Sequence, residues 1–160
     1  MTQDLKLRRK WTFRAHGKQM VFIKKTLESD IHVLMKAFIW ALFLPDDPDL
    51  SVEIQIGDRF KPDLVQLGDD GIPVFWGEAG RVSLRKTKAL VHRFRYTHLV
   101  FAKWNMNLVP FRQILKKETG SDRRLAPIDL ISFPAESGER FIHRDGTIQI
   151  NFRDVNRVRC

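Results

Sequence analysis

This sequence predicts a mixed α/β fold, one sheet flanked by helices in a single domain. Three observations carry the prediction. The chain is 160 residues long and 43% hydrophobic, with twelve Phe and four Trp, which suits one core and most naturally one domain over residues 1–160. From residue 73 to residue 133, β-prone runs alternate with helical stretches in the order β-α-β-α-β, the pattern of right-handed parallel crossovers. Between residues 60 and 88 the chain reads FKPDLVQLGDDGIPVFWGEAGRVSLRKTK, two short strands about a Gly-bounded turn with a basic helix behind them.

The elements follow in order. Residues 10–16 and 19–25 are β-prone and separated by Gly17, so they form a hairpin. Ser29 caps a helix over residues 30–44 that Pro45 ends; nearly every face of it is apolar, which places it between layers. A Pro45-Asp46-Asp47-Pro48-Asp49 turn leads to a strand over residues 50–56. Residues 62–67 and 73–79 are the arms of the hairpin about Gly68-Asp69-Asp70-Gly71. Ser83 caps a helix to about residue 94, with Leu84, Thr87, Leu90 and Val91 as its inner stripe. Residues 96–104 read as a central strand, 107–119 as a helix stopped by a left-handed Gly120, and 126–133 as a further apolar strand. Residues 140–143 and 147–152 flank Asp145-Gly146, a type I′ hairpin signal. Residues 1–9 are expected to be flexible.

Composition excludes several classes. Cys160 is the one cysteine, so there is neither an internal disulfide nor a Cys-rich zinc site. The start, MTQDLKLRRKW, has no apolar stretch behind its charges, which argues against a signal peptide. The longest apolar run, residues 31–44, is interrupted by His32 and Lys36 and falls short of a membrane span. A soluble, cytoplasmic protein without a membrane partner is expected. The net charge is +9 and unevenly placed: residues 79–117 carry ten Lys or Arg and no acid, and residues 1–25 carry eight against Asp4 alone. Such a concentration attracts polyanions, although it also serves as an ordinary solvated surface. Because it begins beside two acids, a nucleic-acid partner is the favoured reading, with Arg81, Arg85, Arg93 and Arg95 as the contacting cations.

Those acids are Asp63 and Glu78. Counting outward from the turn places Asp63 opposite residues 76–78, so the two carboxylates can face each other across the ladder with Cβ atoms about 5 Å apart. Two hard oxygen donors at that spacing suit Mg²⁺. Each acid alone has an ordinary explanation: Asp63 as an exposed strand-start residue, Glu78 as a partner for Arg81 or Arg85. Other candidates are weaker. His16, His32, His92, His98 and His143 lack metal-ligand spacing, and His98 reads as a satisfied core residue. Ser83 and Ser132 lack a nucleophile elbow, and no helix follows Gly68 to Gly71 to make a phosphate cradle. Trp76, Phe101 and Trp104 could stack on bases, but their apolar strands read as core.

The order Lys61-Pro62-Asp63-Leu64, hairpin, Gly77-Glu78-Ala79-Gly80 and Lys-bearing helix resembles the PD-(D/E)XK nuclease superfamily. Within it the chain looks like the uncharacterised bacterial YaeQ family. That likeness includes the KKTLESDIHVLMKAFIWALFL helix and the Asp145-Gly146-Thr147-Ile148 hairpin. The resemblance implies a restriction-endonuclease-like mixed sheet flanked by helices. It also implies Mg²⁺ or Mn²⁺ held by Asp63 and Glu78, with the Ala79 carbonyl as a third ligand. The superfamily's lysine stands two residues past the second acid, where this chain has Gly80, as the YaeQ-type pattern does. Lys86 or Lys88 from the following helix would then complete the catalytic set. Two functions are open: a metal-dependent phosphodiesterase acting on DNA or RNA, and a catalytically degenerate nuclease fold serving as a nucleic-acid- or protein-binding module. No base-reading motif is present, so binding would not be sequence-specific.

Overall fold

The structure, a computed structural model, describes residues 9–120 and 123–160. The N-terminal hairpin pairs β1 (Lys10–Ala15) with β2 (Lys18–Ile23), Trp11 facing Phe22 and Phe13 facing Met20. Helix α1 (Asp30–Phe43) follows, its first turn closed by Ser29 Oγ, which accepts the His32 N–H at 3.1 Å. Every residue from Val33 to Phe43 is buried. The all-round apolar pattern is explained by the layers on either side. Trp11, Phe13 and Phe22 come from the hairpin, while Phe75, Val100, Ala102 and Phe133 come from the main sheet.

That sheet has six strands in sequence order: β3 (Ser51–Val52), β4 (Leu64–Leu67), β5 (Pro73–Ala79), β6 (His98–Trp104), β7 (Ile128–Phe133) and β8 (Asn156–Arg159). Strands β5, β6 and β7 run parallel, and the remaining pairs are antiparallel. Its other face carries α2 (Leu84–Arg93) and α3 (Val109–Thr119), which bury Trp76, Leu90, Leu99, Phe101, Leu115 and Leu130. A short α4 (Ser137–Phe141) and a 3₁₀ turn (Phe152–Asp154) complete the chain. Among the described residues no helix is long and apolar enough to cross a membrane.

Several sequence expectations give way to tertiary contacts. The strand over 50–56 shrinks to Ser51–Val52 because Glu53 adopts a left-handed φ of 54° and turns its carboxylate to Lys36, 2.8 Å away. The central strand begins at His98, since the Thr97 N–H donates to the Phe94 carbonyl (3.1 Å), its carbonyl accepts from Arg124 (2.6 Å) and Tyr96 is 74% exposed. Leu84 leaves the inner stripe of α2 and is 52% exposed, so Thr87, Leu90 and Val91 form it alone. Gly120 ends α3 with φ −61°, in the right-handed region, and not with a left-handed cap. The Asp145-Gly146 turn closes a shorter hairpin than expected. Residues from Ser137 to Phe141 are helical, and the arms are joined by an antiparallel Ile142–Ile148 bridge, with the His143 N–H on the Thr147 carbonyl (2.9 Å) and the Gln149 N–H on the Phe141 carbonyl (2.8 Å). Gly146 presses its backbone on β1, where a Cβ would lie 2.7 Å from the Thr12 carbonyl oxygen. Strand β8 was not anticipated; its charged NRVR run has little β signal of its own. The flexibility expected of residues 1–9 falls outside the described residues except for Arg9, whose carbonyl accepts the Lys24 N–H at 2.7 Å.

Candidate functional site

Asp63 stands one residue before β4, and Leu64 pairs with Gly77, so the ladder carries Asp63 next to Glu78. The Ala79 N–H donates to Asp63 Oδ2 at 2.8 Å and ties the two arms together at that point. Glu78 is only 4% exposed, and its Oε1 accepts from the Trp76 indole at 2.8 Å. The same oxygen lies 2.5 Å from Lys86 Nζ.

Lys86 reaches Glu78 because Ser83 starts α2 at the right place: its Oγ accepts the Lys86 N–H at 3.1 Å. The Lys86 ammonium also donates to the Lys61 carbonyl (3.2 Å) and sits over the Phe60 ring. Lys88, two positions on, points elsewhere, 3.6 Å from Glu118 on α3. The helix therefore brings Lys86 to the acids and not Lys88. Gly80 has φ +80°, with only ordinary contacts in the way of a Cβ, so backbone conformation and not space calls for glycine there.

Two participants escaped the sequence reading. Lys103, buried in β6, donates to the Gly80 carbonyl at 2.6 Å and lies 4.7 Å from the centre of the Phe111 ring. Burial pushes its ammonium down, the Glu78 carboxylate pulls it up and Arg81 lowers it further. Its signal was positional: Glu78 pairs with Phe101, so Lys103, two residues on, shares that face of the sheet. His32, from the first turn of α1, donates through Nε2 to the Ala79 carbonyl (3.1 Å) and lies 3.6 Å from Asp63 Oδ2, while its Nδ1 meets Glu28. Both ring nitrogens face acceptors, which calls for the doubly protonated imidazolium. The Asp63 bond holds the His32 pKa above its usual value against the effect of burial, with Glu28 adding to it. Glu28 continues inward to the fully buried Lys36 (2.6 Å), which also binds Glu53.

These contacts split the two acids. Burial pushes Asp63 up, but His32 and the Ala79 N–H outweigh it and hold the carboxyl below the usual range. Burial, reinforced by the Asp63 charge, pushes Glu78 up to about 7, despite Lys86 and Trp76. Asp63 Oδ1 and Glu78 Oε2 accept no hydrogen bond from the described residues. The donor chemistry thus fits a hard cation bound through two carboxylates, with water completing its shell. No group of three or more His, Cys, Asp or Glu suited to a metal occurs among the described residues. The Ala79 carbonyl already accepts from His32.

A cleft of about 580 Å³ opens over Asp63, lined also by Lys25, Glu28, His32, Gly80 and Arg81, while Glu78 and Lys86 lie behind its wall and not on it. Of the other candidate cations, Arg85 is exposed, Arg93 binds Asp58 at 2.6 Å and Arg95 binds the Arg123 carbonyl at 2.9 Å. Arg81 alone of the four lines the cleft.

No protein-family model matches this chain, and no curated protein matches it in sequence. Solved structures do share its fold. The crystal structure of YaeQ protein from Pseudomonas syringae superposes with a TM-score of 0.61 at 12% identity, covering 98% of this chain and 94% of that one. The YaeQ protein from Xanthomonas axonopodis pv. citri gives 0.56 at 14% identity, covering 89% of this chain and 82% of the other. At these identities the likeness establishes the fold, a mixed sheet flanked by helices.

Proposed function

We propose that this chain is a YaeQ-type protein with a nuclease-like site that cleaves phosphodiester bonds in DNA or RNA, using Mg²⁺ or Mn²⁺ held by Asp63 and Glu78. The observation that carries this reading is the Lys86 ammonium, 2.5 Å from Glu78 Oε1. A lysine from α2 thereby joins the acid pair that Gly80 leaves without one. The cation, when bound, polarises the scissile phosphate and lowers the pKa of a coordinated water.

The chain's own residues do the rest. His32 and the Ala79 N–H fix Asp63 through Oδ2, leaving Oδ1 toward a ligand. Lys86 steadies negative charge that builds on the phosphate oxygens during displacement. Lys103 anchors the Gly80 turn and adds positive potential beside Glu78. Arg81 and Lys25, lining the cleft, attract the strand's backbone. The test is cleavage of single-stranded, duplex and branched substrates by purified protein with Mg²⁺ or Mn²⁺. Metal-dependent cutting is expected and should vanish in the Asp63→Ala, Glu78→Ala double variant; cutting that survives there sinks the reading.

A second reading is favoured by the same contact. Lys86 and His32 already supply counter-charge to the acids, as a catalytically degenerate fold kept for binding nucleic acid or protein would require. It predicts metal-independent, salt-sensitive binding without cleavage, each phosphate contact on duplex DNA adding about 0.9 to the log–log salt slope. Affinity that ignores ionic strength would remove the nucleic-acid version and leave the protein-binding one.

A further inference from the structure

A second cavity, of about 500 Å³, adjoins the acid cleft and is lined by Lys24, Asp30, Ile31, Leu34, Trp104 and Gly138 among others. Ser29 lines both spaces, and the successive residues Lys24 and Lys25 are divided between them. We propose that this cavity receives an unstacked nucleobase, so that the strand bound at the acid cleft is single-stranded there. The inference rests on the phosphodiester reading for where the backbone lies, and on the cavity itself for the base.

Trp104 is the first reason. Trp11, Trp40 and Trp76 are at most 1% exposed, whereas Trp104, at the end of β6, is only partly buried. Its ring lies 15° from parallel to Phe38 and leans on Phe133, which holds the indole plane rigid. Its Nε1 has no hydrogen-bond partner among the described residues and is not sealed from solvent. A fixed aromatic face with an unspent N–H is what a base stacks on and bonds to.

The polar lining is the second reason. Lys24 Nζ and Asp30 Oδ1 meet at 2.5 Å, and that carboxylate oxygen is buried without a well-formed hydrogen bond. Both side chains are part-exposed, 26% and 30%, so the pair sets polar edges beside the apolar walls of Ile31 and Leu34. Base edges present just this mixture of donors and acceptors, and an alkyl chain presents neither. Gly138 lets the wall pack closely on Leu34, since a Cβ there would approach Leu34 Cδ1 to 3.3 Å. The volume is within the range of small-ligand pockets, roughly 300–1,000 Å³.

Trp104 is the one partly exposed tryptophan, and because Trp76 donates to Glu78 and can also respond, the Trp104 signal is taken as the difference between the parent and Trp104→Phe. The full chain is titrated in EDTA with single-stranded deoxy- and ribo-oligonucleotides, the matching duplex and an abasic strand of equal length, following tryptophan emission. Single strands of at least one sugar type should quench it, and duplex and abasic strands should not. Trp104→Leu should weaken single-strand binding about 5- to 150-fold, the range of one lost base stack, while Trp104→Phe should retain it. Ala135→Leu, at an exposed position on the cavity wall, fills part of the space while keeping the indole and should weaken binding to a similar degree. Equal binding of abasic and base-bearing strands, or a Trp104→Leu protein that binds as the parent does, overturns the proposal. So does quenching by an apolar peptide but by no oligonucleotide. Base-dependent quenching without cleavage under any metal would sink the phosphodiesterase and leave this site standing. Asp63- and Glu78-dependent cleavage indifferent to Trp104→Leu would do the reverse.

Discussion

Two buried carboxylate clusters in this molecule each face a histidine and basic side chains, and they end in opposite conditions. Asp129, fully buried on β7, accepts from His98 at 2.6 Å, from Arg157 at 3.1 and 3.2 Å, and from Arg159 at 3.0 Å on each oxygen. Burial alone would push its carboxyl up, but His98 and the two guanidinium groups hold it far below the usual range. Asp63 and Glu78 also have a histidine and a lysine, yet one oxygen of each accepts nothing from the described residues, and Glu78 rises to about 7. The saturated cluster fastens an edge strand. The undersupplied one leaves Asp63 Oδ1 and Glu78 Oε2 without a protein donor, and the proposed metal site rests on that difference.

The comparison breaks first at Asp129. Asp129→Ala leaves two guanidinium groups and the His98 ring around an emptied position and should cost about 3–5 kcal/mol in urea unfolding; a cost below about 1 kcal/mol would mean the cluster fastens nothing. Its pH signature has a definite sign. A depressed folded pKa gives stability that is present above the ordinary value near 4 and lost as pH falls toward the folded one. The parent should therefore lose more stability below about pH 4 than Asp129→Asn does.

Lys86→Met tests the other cluster. If the site cuts, turnover should fall about 10²- to 10³-fold, the usual loss of one charge-stabilising donor, with the fold intact by circular dichroism. Glu78→Gln gives a smaller, opposite effect on stability. A carboxyl raised to about 7 favours the fold when protonated, so stability is greatest below its ordinary 4.5 and declines as pH rises through 7. The Gln variant should thus gain about 1–3 kcal/mol over the parent at pH 8 and nothing at pH 4. It should also lose any melting-temperature increase that Mg²⁺ gives the parent. The smallest effect belongs to Lys88→Ala: held by Glu118 at 3.6 Å on the surface, it should leave both activity and melting temperature as they are. A large loss there would shift the site along α2.

What was legible in the sequence shared one property, locality. The Gly68 to Gly71 turn sets the register of its own hairpin, so counting from it places Asp63 near Glu78. Ser29 and Ser83 cap the helices that begin beside them. Lys103 and His32 join the site across 23 and 47 residues, through the Gly80 and Ala79 carbonyls, and nothing in their own neighbourhoods announces it. Strand β8 was missed for the same reason, since both its arginines bind Asp129, 28 and 30 residues away. Lys86 and Lys88 both fit the spacing argument; the rotation of α2 on the sheet separates them, and that rotation depends on Leu90 and Val91 being buried.

Lys36 has a consequence for how the chain finds this arrangement at all. A helix as uniformly apolar as α1 could enter the layer between hairpin and sheet at many rotations and offsets with nearly equal hydrophobic gain. Its single ammonium, fully buried and bound to Glu28 and Glu53, removes that degeneracy. Any misrotated docking would strand a bare charge in hydrocarbon, at a penalty of several kcal/mol. One polar residue thereby keys the helix into a unique seat, and the seat that it selects is the one that brings His32 against Asp63.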